Sequence, residues 1–343
     1  MIIRTTSKNP GEGLPAVSVV IAAYNASAYI RETLDSVFTQ TFTNYEVIVV
    51  NDGSDDSTQL ESILESHPLP IVYISQSNKG VSAARNAAIK VARGQFYAQI
   101  DSDDQWEPDY LAVQLRFLTE HPDTVLVYPN AIIFGDSPHT GLEYMTLNPS
   151  EGEVSFESLI QERCVVLTCV TARMSVIRSV GMFDEALRSC EDFDLWLRIT
   201  KSGSRISYHR KILARYRRHE GSLSSDRVWM ISNLLAVMEK ALRRDDLTAS
   251  ERQVLTKQVE LRKTTLRLFQ GKHALAAGDA ALALNRLEEA NRGLRSPKLS
   301  VAIFLLRIWP SLPIRVFAAR ERYFAKRQKH LLAGIDTPRG IAC

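Results

Sequence analysis

The chain has 343 residues, 45% hydrophobic and 24% charged, which is the composition of an ordinary globular protein with room for one large domain and a smaller one. Its net charge of +3 conceals an asymmetry: residues 1–225 sum to −8 and residues 226–343 to +11, so the second segment is the one suited to an anionic surface. No apolar run has the length of a membrane span, and Cys164, Cys169, Cys190 and Cys343 lack both zinc-site spacing and any sign of secretion, so reduced thiols in a cytoplasmic compartment are expected.

Residues 1–15, polar and bearing glycine and proline, read as a flexible lead-in rather than a signal peptide. "VSVVIAA" (17–23) is a β-branched apolar run and predicts a buried parallel strand. The turn "YNAS" leads into a helix over about 28–39. "YEVIVV" (45–50) predicts a second strand, closed by the turn "NDGSDDS". A helix over 57–66, a strand over 71–75 and a small-residue helix over 81–92 follow. "QFYAQI" (95–100) is a fourth strand, ending in the acidic stretch "DSDD". Strict strand–helix alternation predicts an α/β fold with a mainly parallel sheet covered by helices. In such sheets ligands bind at the carboxyl ends of the strands, and the polar clusters at 24–27, 51–57 and 101–104 all fall on that edge.

Next come a helix over 107–120, a strand over 125–134 and a long polar loop over 135–153. A helix near 155–162 and a strand-like stretch over 165–173 precede an amphipathic helix over 190–203. The segment 205–225 closes the acidic part of the chain. From about 226 the pattern is helical, with helices expected near 226–244, 249–277, 279–293, 298–308 and 313–329. The expected organisation is therefore a lead-in at 1–15, a nucleotide-binding α/β domain at 16–225 and a helical region at 226–343.

Asp101 and Asp103 stand at i and i+2 after a strand, where a turning backbone can aim both carboxylates into one space. Hard divalent cations favour such oxygens, and Mg²⁺ commonly combines few protein carboxylates with substrate phosphate; an ordinary turn is the other reading. Asp104 reads as a turn or helix-cap residue. Tyr24 could stack on a base, with Asn25 beside it, and Asp52 could accept a hydrogen bond from a base imide; both also suit plain turns. Arg85 could meet phosphate or an acidic partner.

The ordered segments "VSVVIAAYNASAYIRETLDSVFTQTFTNYEVIVVNDGSDDST", "NKGVSAARNAAI", "IDSDD" and "EDFDLWLRI" resemble the motifs of family 2 glycosyltransferases, over roughly residues 16–225. The resemblance implies a GT-A fold and an inverting, metal-dependent transfer from a nucleotide sugar. It places Tyr24 and Asn25 at the base, Asp52 in hydrogen bond to it and Arg85 in the donor pocket. Asp101 and Asp103 match the family's DxD motif: Asp103 would hold Mn²⁺ or Mg²⁺, with Asp101 at the ribose or the metal. Asp192 matches the catalytic base, with Glu191 as an orienting neighbour and Asp194 as a structural partner. His219 resembles a histidine that reaches the metal or the diphosphate. The helix start at Asp192 would favour its ionised form.

Residues 295–329 carry nine Lys and Arg against one Glu among large apolar residues, and Pro310 and Pro313 break them into short pieces. Contact with the inner face of an anionic membrane is one reading; packing on the catalytic domain or a second subunit is the other. No recognised nucleic-acid module accompanies this charge. A saccharide or lipid-linked acceptor follows if the membrane reading holds. A nucleotidyltransferase and a non-catalytic α/β domain with a partner-binding tail are the competing functions; the oligomeric state has no signature.

Overall fold

The computed structural model describes residues 2–5, 13–219, 221, 226–314 and 316. Its first elements are β1 (Ile2–Thr5), β2 (Val17–Ala23), α1 (Ile30–Phe38), β3 (Tyr45–Asp52), α2 (Ser57–Ser66), β4 (Ile71–Gln76) and α3 (Val81–Val91). Then follow β5 (Phe96–Gln99), β6 (Gln105–Trp106), α4 (Tyr110–Glu120), β7 (Thr124–Gly135), α5 (Tyr144–Leu147) and α6 (Phe156–Ile160). The series continues with β8 (Thr171–Arg173), α7 (Met174–Ser179), α8 (Glu191–Lys201) and β9 (Arg205–Arg218). Then come α9 (Arg227–Leu242), α10 (Ala249–Ala277), α11 (Ala280–Leu294) and α12 (Pro297–Ile308).

Among the described residues nine strands form one sheet in the order β1-β4-β3-β2-β5-β8-β7-β9-β6. Its heart is parallel, β4-β3-β2-β5, and β2 is apolar on both faces because both are covered. Helix α1 buries Ile30, Thr33, Leu34 and Val37, the i, i+3, i+4, i+7 stripe of an amphipathic helix. Helix α3 is built from small residues and packs against β2, β3 and β4; Ala83, Ala84, Ala87 and Ala88 are all buried there. Gly53 ends β3 with φ +72°, and a Cβ at this position would stand 2.5 Å from the Asn78 nitrogen, so the close approach of the two loops needs glycine.

Beyond β5 the pairing is mixed. Strand β8 runs antiparallel between β5 and β7, β6 is antiparallel to β9, and only β7–β9 returns to parallel pairing. The stretch over 165–173 shrinks to the three residues of β8, while 205–225, for which no element was expected, supplies the 14-residue β9. Its basic alternation hid a strand whose apolar residues, such as Ile206, Leu213 and Ala214, are spaced by bulges rather than by a strict period of two. The lead-in is also corrected: Ile2–Thr5 pairs antiparallel with β4 and occupies an edge that would otherwise expose unpaired backbone. The loop at 135–153 contains α5 and folds back on β7 through the Ile132–Glu143 bridge.

The chain divides into two compact units, residues 1–225 with 236–256, and residues 226–235 with 257–343. In the second, Ala274, Leu275, Ala283, Leu287, Ile303 and Leu306 share a core. Helix α12 starts with Ser296, whose side chain accepts from the Leu299 amide, and with Pro297 in its first turn. Among the described residues no helix is long and apolar enough to cross a membrane. The helix expected over 313–329 lies largely outside the described residues.

Candidate active site

The carboxyl ends of β2, β3 and β5 deliver the first group of side chains. Tyr24 follows β2 and is 51% exposed. Asn25 adopts φ +51°, a left-handed conformation that asparagine tolerates. Its amide donates to Ser54 Oγ at 3.0 Å and its Oδ1 accepts from the Asp55 amide at 2.8 Å. Asn25 thus ties the loop after β2 to the loop after β3. Asp52, 4% exposed, accepts from Gln76 Nε2 at 2.8 Å, the Lys79 amide at 2.9 Å and the Gly80 amide at 2.7 Å. A carboxylate offers about four acceptor directions, so one remains for an outside donor.

The acidic turn and the helix-start carboxylates meet at Arg85. This side chain is 4% exposed; its Nη2 lies 2.8 Å from Asp101 Oδ1, and its Nη1 is paired with Glu191 Oε1. The Phe183 ring lies 5.3 Å from the guanidinium. Burial works against the charge, but Glu191 and then Asp101 overcome it and hold the group protonated well above its ordinary value. One buried cation therefore fixes Asp101, after β5, and Glu191, at the start of α8, in a single site.

Asp103 points elsewhere, to His219, whose Nε2 lies 3.0 Å from Asp103 Oδ2. Burial and the charge of Asp101 push the Asp103 carboxyl up, and His219 opposes the shift. The His219 ring packs on Tyr29 with centroids 4.8 Å apart. An adjacent carboxylate oxygen and imidazole nitrogen are a donor set that suits a divalent cation such as Mn²⁺. Among the described residues no three His, Cys, Asp or Glu gather to hold a metal. A cation at Asp103 and His219 would therefore need oxygens brought by a ligand, as a diphosphate does.

Asp104 is not a helix cap. It is 1% exposed, its Oδ1 accepts from the Arg217 amide at 2.8 Å, and its carbonyl accepts from Thr33 Oγ1 at 2.8 Å. Its amide closes the turn on the Asp101 carbonyl at 3.2 Å, which is the turn role expected of it. Burial, then Asp103 and Asp101, push its carboxyl well above the usual range.

Asp192 is partly buried in the first turn of α8, and its Oδ1 accepts from the Phe193 amide at 2.6 Å. Burial and a neighbouring charge act against the helix start here. Burial and the Glu191 charge push its carboxyl up to about 7, against the pull of Arg85 and of the amide bond. The backbone prepares this turn at Cys190, which caps α8 with φ +59°, a conformation that costs about 1 kcal/mol for a residue with a side chain. Asp194 accepts from Arg198 Nε at 2.8 Å and Lys240 Nζ at 2.6 Å, so it braces the helix.

Sequence reasoning passed over Arg217. Its Nε donates to the Asp103 carbonyl at 2.6 Å, its Nη2 to Glu32 at 2.6 Å, and its guanidinium lies 4.9 Å from the Tyr29 ring and 4.3 Å from the Phe134 ring. Thr33, which also donates to the Ser102 carbonyl at 3.0 Å, was missed too. The available signal was the arginine alternation at 215 and 217, which puts both on one strand face.

A family model described as glycosyl transferase family 2 matches residues 18–181. The UDP-Glc:alpha-D-GlcNAc-diphosphoundecaprenol beta-1,3-glucosyltransferase WfaP of Escherichia coli is 30% identical over 216 residues, 62% of this chain and 80% of that protein. An uncharacterized glycosyltransferase of Rickettsia bellii is 34% identical over 215 residues, 60% of this chain, but the match spans only 30% of that longer protein. Among solved structures, S. aureus TarS 1-349 in complex with UDP-GlcNAc aligns with TM-score 0.60 and 20% identity, covering 90% of this chain and 91% of that one. The mannosyltransferase PcManGT of Pyrobaculum calidifontis, in complex with GDP-Man and Mn²⁺, aligns with TM-score 0.57 and 19% identity, covering 92% and 89%. These structures share the GT-A fold, α/β with an all-helical C-terminal region here.

Replacing the central cation tests this geometry. Arg85→Met leaves Glu191 buried without a partner, and loss of one member of a buried pair costs roughly 3 kcal/mol. Urea denaturation should show that loss, and Arg85→Lys should recover only part of it. Wild-type stability in Arg85→Met would mean that the cation does not hold the two acidic segments together.

Proposed function

The chain belongs to glycosyl transferase family 2, and from that premise we propose that it is a metal-dependent, inverting enzyme using a UDP-sugar as donor. Its acceptor is a hydroxyl of a saccharide or lipid-linked saccharide, as in the assembly of cell-surface polysaccharide. The observation that carries this reading is the buried Arg85, which joins Asp101 of the acidic turn to Glu191 beside Asp192. A metal–nucleotide edge alone would equally serve nucleotidyl transfer; an attached pair of helix-start carboxylates supplies a base for sugar transfer. We assign the transfer to residues 16–225 and acceptor or membrane contact to 226–343.

In this reading Tyr24 stacks on the base, Asn25 and Asp52 shape its pocket, and Arg85 holds Asp101 and Glu191 in place. Asp103 and His219 would hold the cation, which when bound supplies positive charge against the developing charge of the leaving diphosphate. Ionised Asp192 takes the proton of the acceptor hydroxyl as its oxygen bonds to C1 of the donor sugar. The bond from C1 to the diphosphate oxygen breaks on the opposite face, which inverts the anomeric centre.

The donor assignment is tested by thermal shift with UDP-, GDP- and dTDP-sugars, with and without Mn²⁺. UDP-sugars should raise the melting temperature in a Mn²⁺-dependent way, and Asp103→Asn should abolish the metal dependence. An Asp103→Asn protein that responds as wild type would remove Asp103 from the metal site. The product assay should detect nucleoside diphosphate; release of pyrophosphate would establish nucleotidyl transfer instead.

The base has its own pH signature. A carboxyl raised to about 7 is ionised above that pH and protonated below it, so transfer should fall about tenfold per pH unit on the acid side. A bound cation would lower the value and move this limb to or below pH 7. Asp192→Asn should keep donor binding and lose transfer; full activity would exclude it as the base.

The membrane reading is supported by α12 and the residue after it. Val301, Phe304, Ile308 and Trp309 are each about 60% exposed and fall at i, i+3, i+7 and i+8, on a helix whose other side, with Ile303 and Leu306, is in the core. An apolar stripe uncovered among the described residues, in a basic segment, suits the inner face of an anionic bilayer. The chain should sediment with phosphatidylglycerol vesicles and not with phosphatidylcholine vesicles, and Phe304→Ala with Trp309→Ala should weaken this at least about tenfold. Equal binding of both proteins to both vesicles would dispose of the idea.

A further inference from the structure

The last residues of β9 present two different faces. Arg215 and Arg217 turn toward Phe134 at 4.9 and 4.3 Å, and Arg217 is consumed by Asp103 and Glu32. Tyr216 and Arg218 fall on the alternate face by the period of two. There Tyr216 meets Tyr144 edge-on, with centroids 5.4 Å apart and planes at 73°, and the Arg218 guanidinium lies 5.8 Å from the Tyr216 ring.

Arg218 differs from its neighbour in having no carboxylate partner among the described residues. Its Nε is buried and has no hydrogen-bond partner among the described residues. A buried guanidinium donor left unpaired is costly, and a planar cation of this kind is well matched to carboxylate or phosphate oxygens. Tyr144 is held in position by its neighbours. Asn130 Nδ2 donates to Glu143 Oε2 at 2.8 Å, and the Met145 amide donates to Asn130 Oδ1 at 3.0 Å. The aromatic pair is thus a fixed wall rather than a loose loop.

The wall is also close to the helix-start carboxylate. Burial holds the Tyr144 hydroxyl protonated, Tyr216 and Asp192 reinforce this, and Arg218 opposes it. Tyr144 therefore lies within the fields of Asp192 and Arg218 together. A guanidinium whose Nε has no hydrogen-bond partner among the described residues, two tyrosine rings and a candidate base share one neighbourhood, on the face of β9 turned away from the Asp103 contacts.

We propose that Arg218, with the rings of Tyr216 and Tyr144, forms an acceptor subsite that binds an anionic oxygen of the acceptor, phosphate or carboxylate, beside the sugar to be extended. The rings take the apolar face of that sugar and Arg218 takes the charge. The proposal rests on the glycosyl-transfer reading above and adds to it the chemical class of the acceptor.

The test uses the full chain saturated with UDP and Mn²⁺, titrated with glucose, glucose 1-phosphate and glucuronic acid by ligand-observed NMR. At least one anionic probe should bind about tenfold or more tighter than glucose, the effect expected of a hydrogen bond to a charged group; which one does so separates phosphate from carboxylate. Arg218→Gln should erase that preference while leaving UDP affinity within about twofold. Arg218→Lys, which keeps the charge, should retain part of it, and Tyr216→Leu should weaken all three probes alike. Melting temperatures near wild type for these variants separate lost binding from lost fold. Absence of an anion preference in wild type, its survival in Arg218→Gln, or a tenfold loss of UDP affinity in that variant would each overturn the subsite. Failure of UDP to bind wild type would instead remove the donor reading, and this proposal with it.

Discussion

An arginine that is 4% exposed must be neutralised where it lies, and Arg85 meets that requirement with Asp101 and Glu191. Much of the site follows from this. The turn after β5 cannot drift away from α8 without stranding a charge, and α8 cannot rotate without losing Glu191. Glu191 in turn is a large part of what raises the carboxyl of Asp192. Structural neutralisation and the tuning of a candidate base are therefore one arrangement, in which the cation that orders the site is also a restraint on how far the base is raised.

Strand β9 performs the same service for the other half of the acidic turn. Arg217 donates through its side chain to the Asp103 carbonyl and through its amide to the Asp104 carboxylate. Two residues later, His219 reaches Asp103 itself. The three aspartates are consequently divided among three partners: Asp101 to Arg85, Asp103 to His219, Asp104 to the strand backbone. Like charges so close together would repel, and distributing them is what allows the turn to exist. Burial first, and the neighbouring aspartates second, still push the carboxyls of Asp103 and Asp104 up.

Local pattern was enough for the parallel heart of the sheet, because strands buried on both faces leave continuous β-branched runs and their helices leave clear stripes. It was enough also to nominate Asp52, Arg85, Asp101 and Asp103 as sharing an edge. It failed for β9, whose bulges break the period of two, and for β1, a four-residue edge strand with every side chain exposed. Both failures concern elements specified by partners distant in sequence. The same cause hid the partner of Arg85: nothing local says that a helix arginine will meet a carboxylate 106 residues away. For Asp192 the sequence showed the helix start, which contributes about a kcal/mol or less, but not the burial and the Glu191 charge that act against it.

Asp52 is held by Gln76 and by the amides of Lys79 and Gly80, and Gly80 is the residue from which α3 begins. The carboxylate is therefore a hinge pin already seated. A base that hydrogen-bonds to its remaining acceptor direction meets a loop that needs no further ordering, so the conformational entropy usually lost on recognition is absent from that step. Gly80 lies about 1.4 helical turns before Arg85. One helix therefore carries at its start the amide that holds Asp52 and, further along, the cation that holds Asp101.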